Sequence, residues 1–239
     1  TSEGDEYYQR CRELLLTVED ARAVVSGNAV GSPGHLRVAL PISFGQQIVA
    51  PQLPAWQKEN ANTSLEIILS DRHVDVVRER FDLAVRFDKV PDSRLIAKKL
   101  PTQTFVTAAS PEYLRESGTP RVVSDLSEHN CLGYIDRQTN EPRLWSFQEK
   151  SDIEESPVTF MPQGNLVSDQ GSFLLNVALA NGGIIQAPDY LIKSSVVSGQ
   201  LVPLLENYMS NGPKWWAVYP YSRYPSLRLR RFVAFLVAL

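Results

Sequence analysis

Three apolar runs in the first hundred residues end on polar side chains able to hold a small anion. LRVAL (36–40) breaks at Pro41 and is followed by Ser43 and Phe44. SLEIILS (64–70) ends in Ser70, and DLAVRF (82–87) ends in Arg86 and Phe87. Two hydroxyls and a guanidinium are the donors that a carboxylate calls for. Ser43 also stands where a strand stops and a helix begins. The first N–H groups of a helix carry partial positive charge and suit anions. In open α/β sheets, ligand sites lie at the carboxyl ends of the strands. Each residue also has an ordinary role open to it. Ser43 can serve as a helix N-cap, and Arg86 can pair with Asp82, Asp88 or Asp92.

Nothing else in the chain assembles into catalytic chemistry. There is no GxSxG, no HExxH, no Walker-type glycine loop and no GxGxxG after a strand. Asp71, Asp75 and Asp82 fall at helix starts and loops, where carboxylates cap and solvate. No nucleophile–base pair can be built from residue types, so an enzyme is not expected. His35, His73 and His129 are scattered, without the spacing of zinc ligands. Cys11 and Cys131 are far apart in unlike contexts, and no disulfide framework is expected. The reading is a chain of a reducing compartment, the cytoplasm, with no metal and no cofactor.

Composition narrows the partners. The 239 residues are 43% hydrophobic, enough for one large core or two modest ones. Charged residues make up 21%, the net charge is −3, and no basic stripe runs along the chain. A nucleic-acid surface usually shows one, so any DNA contact is expected elsewhere. RLRRF (228–232) shares its helix with Leu227, Phe232, Phe235 and Leu236 and reads as a solvated face. Trp215, Trp216 and Tyr219 read as core or interface packing. No apolar stretch reaches the roughly 20 residues that span a bilayer. The start, TSEGDEYYQR, is polar and lacks a signal-peptide core; beginning with threonine, the chain reads as a fragment.

These residues need elements to position them. Tyr8, Cys11, Leu15, Val18, Ala21 and Val25 form a helical stripe within 5–26, and GNAVGSPG (27–34) reads as a linker. The helix must bury its face on its own domain or on a partner chain. Strands are expected over HLRVALP, SLEIILS (64–70), DLAVRF (82–87) and either side of Pro101 within 95–110. Helices are expected over 44–60, kinked or split by Pro51 and Pro54, and over HVDVVRER (73–80). This order argues an α/β layer with a largely parallel sheet.

A second α/β unit follows. It has a helix at PEYLRESG (111–118), a helical turn at DLSEHN, and a strand at CLGYI (131–135). A hairpin joins LWSFQEK to PVTFMP. The helix of 168–181 takes Ser168 or Asp169 as N-cap and has Gly182 past its end. Strands at GIIQAP, QLVPLL and KWWAVYP and helices at DYLIKSSVVSG and PSLRLRRFVAFLVAL complete the chain.

The order of several stretches resembles a known family. GHLRVALPISFGQQIVAPQLPAWQKEN, LEIILSDRHVDVVRERFDLAVRFDKVPDSRLIAKKL, ASPEYLRESGTP, DLSEHNCLGY, GGIIQAPDYLI and AVYPYSRYPSLRLRRFVAFL together resemble the effector-binding part of LysR-type transcriptional regulators, over residues 34–239. The resemblance implies an α/β fold of two Rossmann-like subdomains on the type II periplasmic-binding-protein plan. Two crossover strands join the subdomains, and an N-terminal linker helix precedes them. Subdomain I would be 34–107 plus 209–239, subdomain II 108–208, and 1–33 the linker helix and linker. A small-molecule effector would bind between the subdomains and bias how dimers and tetramers form. DNA would be met only through a winged helix-turn-helix that this sequence does not contain.

By aligned position, the resemblance strengthens Ser43 as an effector contact and adds Ser70 and Arg86. Asn165 and Ser168, before the 168–181 helix, become candidates on subdomain II. Phe44, Phe87 and Tyr134 would line the apolar part. A periplasmic-type solute-binding protein is the main alternative, but the linker helix and motif order argue against it. A nucleotide-using Rossmann enzyme lacks its glycine fingerprint.

Overall fold

β1 (Gly34–Leu40) shows why the strand ends lie where they do. Leu36 and Val38 alternate, but Ala39 and Leu40 are buried as well. A strand covered on both faces belongs inside a parallel sheet. In this computed structural model β1 is flanked by β2 (Thr63–Leu69) and β3 (Leu83–Phe87), both parallel to it. The structure describes residues 1, 3–4, 7–8, 11, 18, 34–87, 94–136, 140–148, 157–222 and 225–239. The helix expected over 5–26 lies largely outside the described residues; Tyr7, Tyr8, Cys11 and Val18 are helical.

The chain forms two compact units. The first comprises Thr1–Ser70, Val74–Pro101 and Trp215–Leu239. Its sheet has the order β2-β1-β3-β14-β4, with β4 at Leu95–Lys99 and β14 at Trp215–Pro220. β14 runs antiparallel to both neighbours. The sheet is therefore mixed rather than largely parallel, because its fourth position is filled by a strand arriving from the far end of the chain.

After Pro41 the chain turns through α1 (Ile42–Phe44), a π-helical stretch (Gly45–Val49) and α2 (Ala50–Glu59) without a break. Pro51 and Pro54 suggest a kink or two short helices. Instead, the turn just before Pro51 is widened, with the Ala50 N–H on the Gly45 carbonyl. The wider turn leaves room for a ring that would press on an α-helical carbonyl. Trp56 meets Phe232 of α6 (Leu227–Ala238) edge-on at 5.2 Å.

The helix expected at 73–80 is a set of turns. The Asp75 carboxylate accepts from the N–H groups of Val77 and Arg78 at 3.1 and 3.0 Å, and the Glu79 carboxylate accepts from the Asp75 N–H at 2.9 Å. Side chains that capture local N–H groups compete with a helix ladder. Arg80 then turns left-handed at φ 58°.

The second unit comprises Asp71–His73 and Thr102–Lys214. β5 (Thr104–Ala109) pairs along its whole length within this unit. Its partners are β11 (Ile185–Pro188), β12 (Val202–Leu204) and β13 (Ser210–Asn211). Ala108 belongs to one core, with Leu132, Leu174 and Ile192; Ala109 belongs to another, with Tyr113, Trp145 and Phe147. Adjacent residues of a strand face opposite ways, so two alanines let both layers approach closely.

The smaller pieces match the sequence pattern more closely. α3 (Pro111–Ser117) is capped by the Ser110 hydroxyl and ends at Gly118, φ 87°. β8 (Trp145–Phe147) and β9 (Val158–Phe160) form the expected hairpin, whose acidic turn lies outside the described residues. β6 (Gly133–Asp136) pairs with β7 (Glu141–Pro142) and β10 (Val167–Ser168). α4 (Gly171–Leu179) has Gln170 at its N-cap position, in place of Ser168 or Asp169. α5 (Asp189–Val197) follows β11.

Candidate functional site

In the first unit the donors sit where β1 and β2 end. The Ser70 N–H bonds the Leu40 carbonyl at 2.9 Å, tying the two strand ends together. Pro41, not Ser43, occupies the N-cap position of α1, with no side-chain cap. Ser43 is the second residue of the helix, so the plain N-cap role falls away. Gly45 supplies the first intrahelical N–H, to the Pro41 carbonyl at 2.8 Å.

Arg86 lies next door on β3, opposite Trp216 of β14. Its guanidinium donates to the Val74 carbonyl and so anchors the turns of 74–80 as well. Asp82 is engaged by the backbone N–H of Arg37 at 2.7 Å, while Asp88 and Asp92 lie outside the described residues. Phe44 and Phe87 both pack on Trp215, with ring centres 4.9 and 5.2 Å away. Phe44 is only 3% exposed, so its ring braces the strand end from beneath. Phe87 is half-buried.

In the second unit Tyr134 and Ser168 are register partners on parallel strands. Burial raises the Tyr134 phenol well above the ordinary tyrosine range, the Asp71 carboxylate adds to this, and the Arg143 guanidinium opposes it; Asp136 and Asp169 raise it further. Arg143 sits 5.9 Å from the centre of the Tyr134 ring and pairs with Asp136 at 3.2 Å. Gln170 donates to Asp71 at 3.1 Å. The Ser168 hydroxyl accepts from the Gln170 N–H at 3.1 Å, a local turn that sets the start of α4.

Asn165 is exposed, yet it is tied to Asn130. Its N–H donates to Asn130 Oδ1 at 2.9 Å, and Asn130 Nδ2 donates back to Asn165 Oδ1 at 3.1 Å. Asn130, Arg143 and Gln170 escaped sequence reasoning because each acts on a partner brought to it by folding. Asp71 carried a signal, a carboxylate directly after Ser70, but reads as a cap or a solvated loop residue.

Other chemistry finds little support. Among the described residues no cluster of three His, Cys, Asp or Glu could hold a metal, and no helix is long and apolar enough to cross a membrane. Cys131 is fully buried, and burial pushes its thiol up to about 12. A thiol so placed is a core residue and not a nucleophile.

A model of the LysR substrate binding domain matches residues 29–239. The chain belongs to this family. A LysR-type effector-binding domain accounts for the motif order and for the α/β architecture of the type II periplasmic-binding kind. Among its relatives is an uncharacterised HTH-type transcriptional regulator of Haemophilus influenzae, 31% identical over 96% of this chain and 77% of that protein. The HTH-type regulator DmlR of Escherichia coli is 31% identical over 99% of this chain and 75% of its own length. The regulatory domain of CrgA from Neisseria meningitidis superposes with a TM-score of 0.74 at 27% identity, covering 87% of this chain and 98% of that one. These relatives are transcriptional regulators, and the LysR family senses small-molecule effectors and oligomerises.

Proposed function

We propose that this LysR-type domain senses a small anionic effector, with Ser43, Ser70 and Arg86 of the first unit as its oxyanion contacts. The observation that supports the reading is the Ser70 N–H bond to the Leu40 carbonyl, which ties Ser70 to the end of β1, with Ser43 in the helix that follows β1 and Arg86 on the neighbouring parallel strand β3. Hydroxyls and guanidinium recognise an oxyanion by direction as well as charge. Phe87 supplies an apolar wall, while Phe44 acts beneath it.

A bound effector acts only by favouring one arrangement of the domain over another. We read the output as altered self-association of the regulator in the cytoplasm, DNA being contacted by a part of the regulator other than these residues. No catalytic step belongs to this reading.

The test is a thermal-shift screen of the chain against small carboxylates, aromatic acids, amino acids and neutral metabolites, repeated on Ser43→Ala. At 100 times its dissociation constant a ligand adds about 2.7 kcal/mol of stability. The expected result is an acid that stabilises the native chain and loses most of that effect in the variant. Equal stabilisation of both proteins removes Ser43 from the site. Stabilisation by neutral molecules alone removes the anionic class.

A further inference from the structure

One face of the first unit's sheet is flat in its middle and charged at either end. Ala39 on β1 is the register partner of Ala84 on β3. Alternate residues of a strand share a face, so Arg37 precedes Ala39 on that face and Arg86 follows Ala84. Val218 on β14 continues the flat part as the partner of Ala84. The turns of 74–80 lie over it. Val74, Val76 and Phe81 are buried in one cluster with Ala39, Ala84 and Val218. Small residues beneath bring the backbone of this cover within reach of both guanidinium groups.

Each arginine holds one end of the cover. Arg86 donates from Nη2 to the Val74 carbonyl at 2.5 Å, and Arg37 donates from Nη1 to the Glu79 carbonyl at 3.1 Å. Arg37 is itself fixed from several sides. Its backbone N–H bonds the Asp82 carboxylate at 2.7 Å, and its carbonyl accepts from the Asp82 N–H at 2.8 Å. Its guanidinium lies 4.9 Å from the centre of the Phe81 ring and 3.1 Å from a carboxylate oxygen of Glu66.

Between these two ends the cover is tied to itself. The Glu79 carboxylate accepts from the Asp75 N–H, and the Asp75 carbonyl accepts from the Glu79 N–H, both at 2.9 Å. The Asp75 carboxylate takes the N–H groups of Val77 and Arg78. The Phe81 N–H closes on the Val76 carbonyl at 2.9 Å. Glu79, held by Arg37, is thus bonded to Asp75, which adjoins Val74, held by Arg86. A contiguous, mutually bonded segment of this kind opens as one unit.

We infer that residues 74–80 form a cooperative cover, and that Arg37 is a positioning residue that acts through it on Arg86. The path runs from the Arg37 guanidinium to the Glu79 carbonyl, through the Asp75–Glu79 pair, to the Val74 carbonyl that orients the Arg86 guanidinium. Loss of the Arg37 contact opens the whole cover and takes the Val74 acceptor away from Arg86. A guanidinium recognises an oxyanion by the direction of its N–H groups as well as by charge. An Arg86 that turns therefore binds an anion less well, although its charge is unchanged. That consequence rests on the function proposed above; the cover and its two arginines do not.

The experiment needs no ligand. Amide exchange of Asp75, Val77, Arg78 and Phe81 is followed by NMR on the chain, and rotation of the Arg86 guanidinium is read from its side-chain N–H signals. Arg37→Gln should speed exchange at all four amides by a common factor of about ten, one hydrogen bond from a charged group. The Arg86 rotation should quicken with it. Arg37→Lys, whose ammonium can still reach a carbonyl, should restore most of the protection. Glu66→Gln removes the carboxylate beside Arg37 but leaves the Glu79 bond in place, and should change neither the amides nor Arg86. Exchange that rises at Arg78 and Phe81 but not at Asp75 overturns the inference. So does an Arg86 guanidinium that stays fixed while the cover opens, or an equal loss of protection in Glu66→Gln. All of this is measured without an effector, so a failed effector screen and a failed cover are told apart.

Discussion

The two units hold their candidate residues by different means. In the first, Ser43, Ser70 and Arg86 follow from strand pairing. β1 and β2 stay in register over seven consecutive pairs, and the polar residues sit where the ladder stops. In the second, parallel pairing between β6 and β10 covers only two residues on each strand. There the positions depend on polar side chains that bridge distant loops. Asn130 holds 163–165 and 182–184. Gln186 accepts from the Ser146 N–H at 3.3 Å and donates to the Ser146 carbonyl at 3.2 Å, fixing β8 against β11. A ladder distributes its constraint over many backbone groups, whereas a clamp concentrates it in one residue. The first unit should therefore be vulnerable in its core and the second at single polar positions.

The sharpest way to break this comparison is a core deletion in the first unit. Leu83 is fully buried on β3, and Leu83→Ala should cost about 3 kcal/mol, read from urea unfolding as a loss of the whole first unit. Asn130→Ala should cost less, about 2 kcal/mol for the partners left unmade. Its loss should be local: hydrogen exchange rises at 163–165 and 182–184 while the β1–β2 ladder keeps its protection. If Asn130→Ala opens the first unit as well, or if Leu83→Ala spares it, the contrast fails.

The smallest effect concerns pH. Asp125 has a lowered carboxyl pKa because the N–H groups of Arg121 and Val122 hold its charged form. A depressed carboxylate contributes its full stability above the ordinary value near about 4. That contribution disappears as pH falls through the lower folded-state value. Asp125→Asn should remove this part of the acid sensitivity of the second unit. Parallel acid titrations of the two proteins, followed by circular dichroism, would show identical profiles if the carboxylate played no part.

Legibility in the sequence follows the same contrast. The strands of the first unit are readable because burial on both faces leaves continuous runs such as VAL and LAV, ended by polar residues. That pattern also points to Ser43, Ser70 and Arg86. Tyr134, Asn165 and Ser168 enter only through the family resemblance, since nothing in their local spacing marks them. Asn130 could not be read at all, because its partners lie 35 and 52 residues away. The stretch 73–80 misleads for the opposite reason. Val74 and Val77 keep a helical spacing, while Asp75 takes the nearby N–H groups and folds the segment into turns. Ser43 looks like an N-cap until Pro41 is seen in that position.

β14 carries a consequence for how the molecule is made. It lies between β3 and β4, yet it is the last strand of the chain. A ribosome releases β1, β2, β3 and β4 first, and then all of residues 102–214. Only afterwards does the strand arrive that joins β3 to β4. At the usual 5–20 residues per second that interval is on the order of ten seconds. Throughout it the nascent chain carries an open edge along Ala84, Val85, Arg86 and Phe87, the residues that pair with β14 in the finished protein. The second unit can close before translation ends. The half that bears Ser43 must wait, and it is the half for which a chaperone has something to hold.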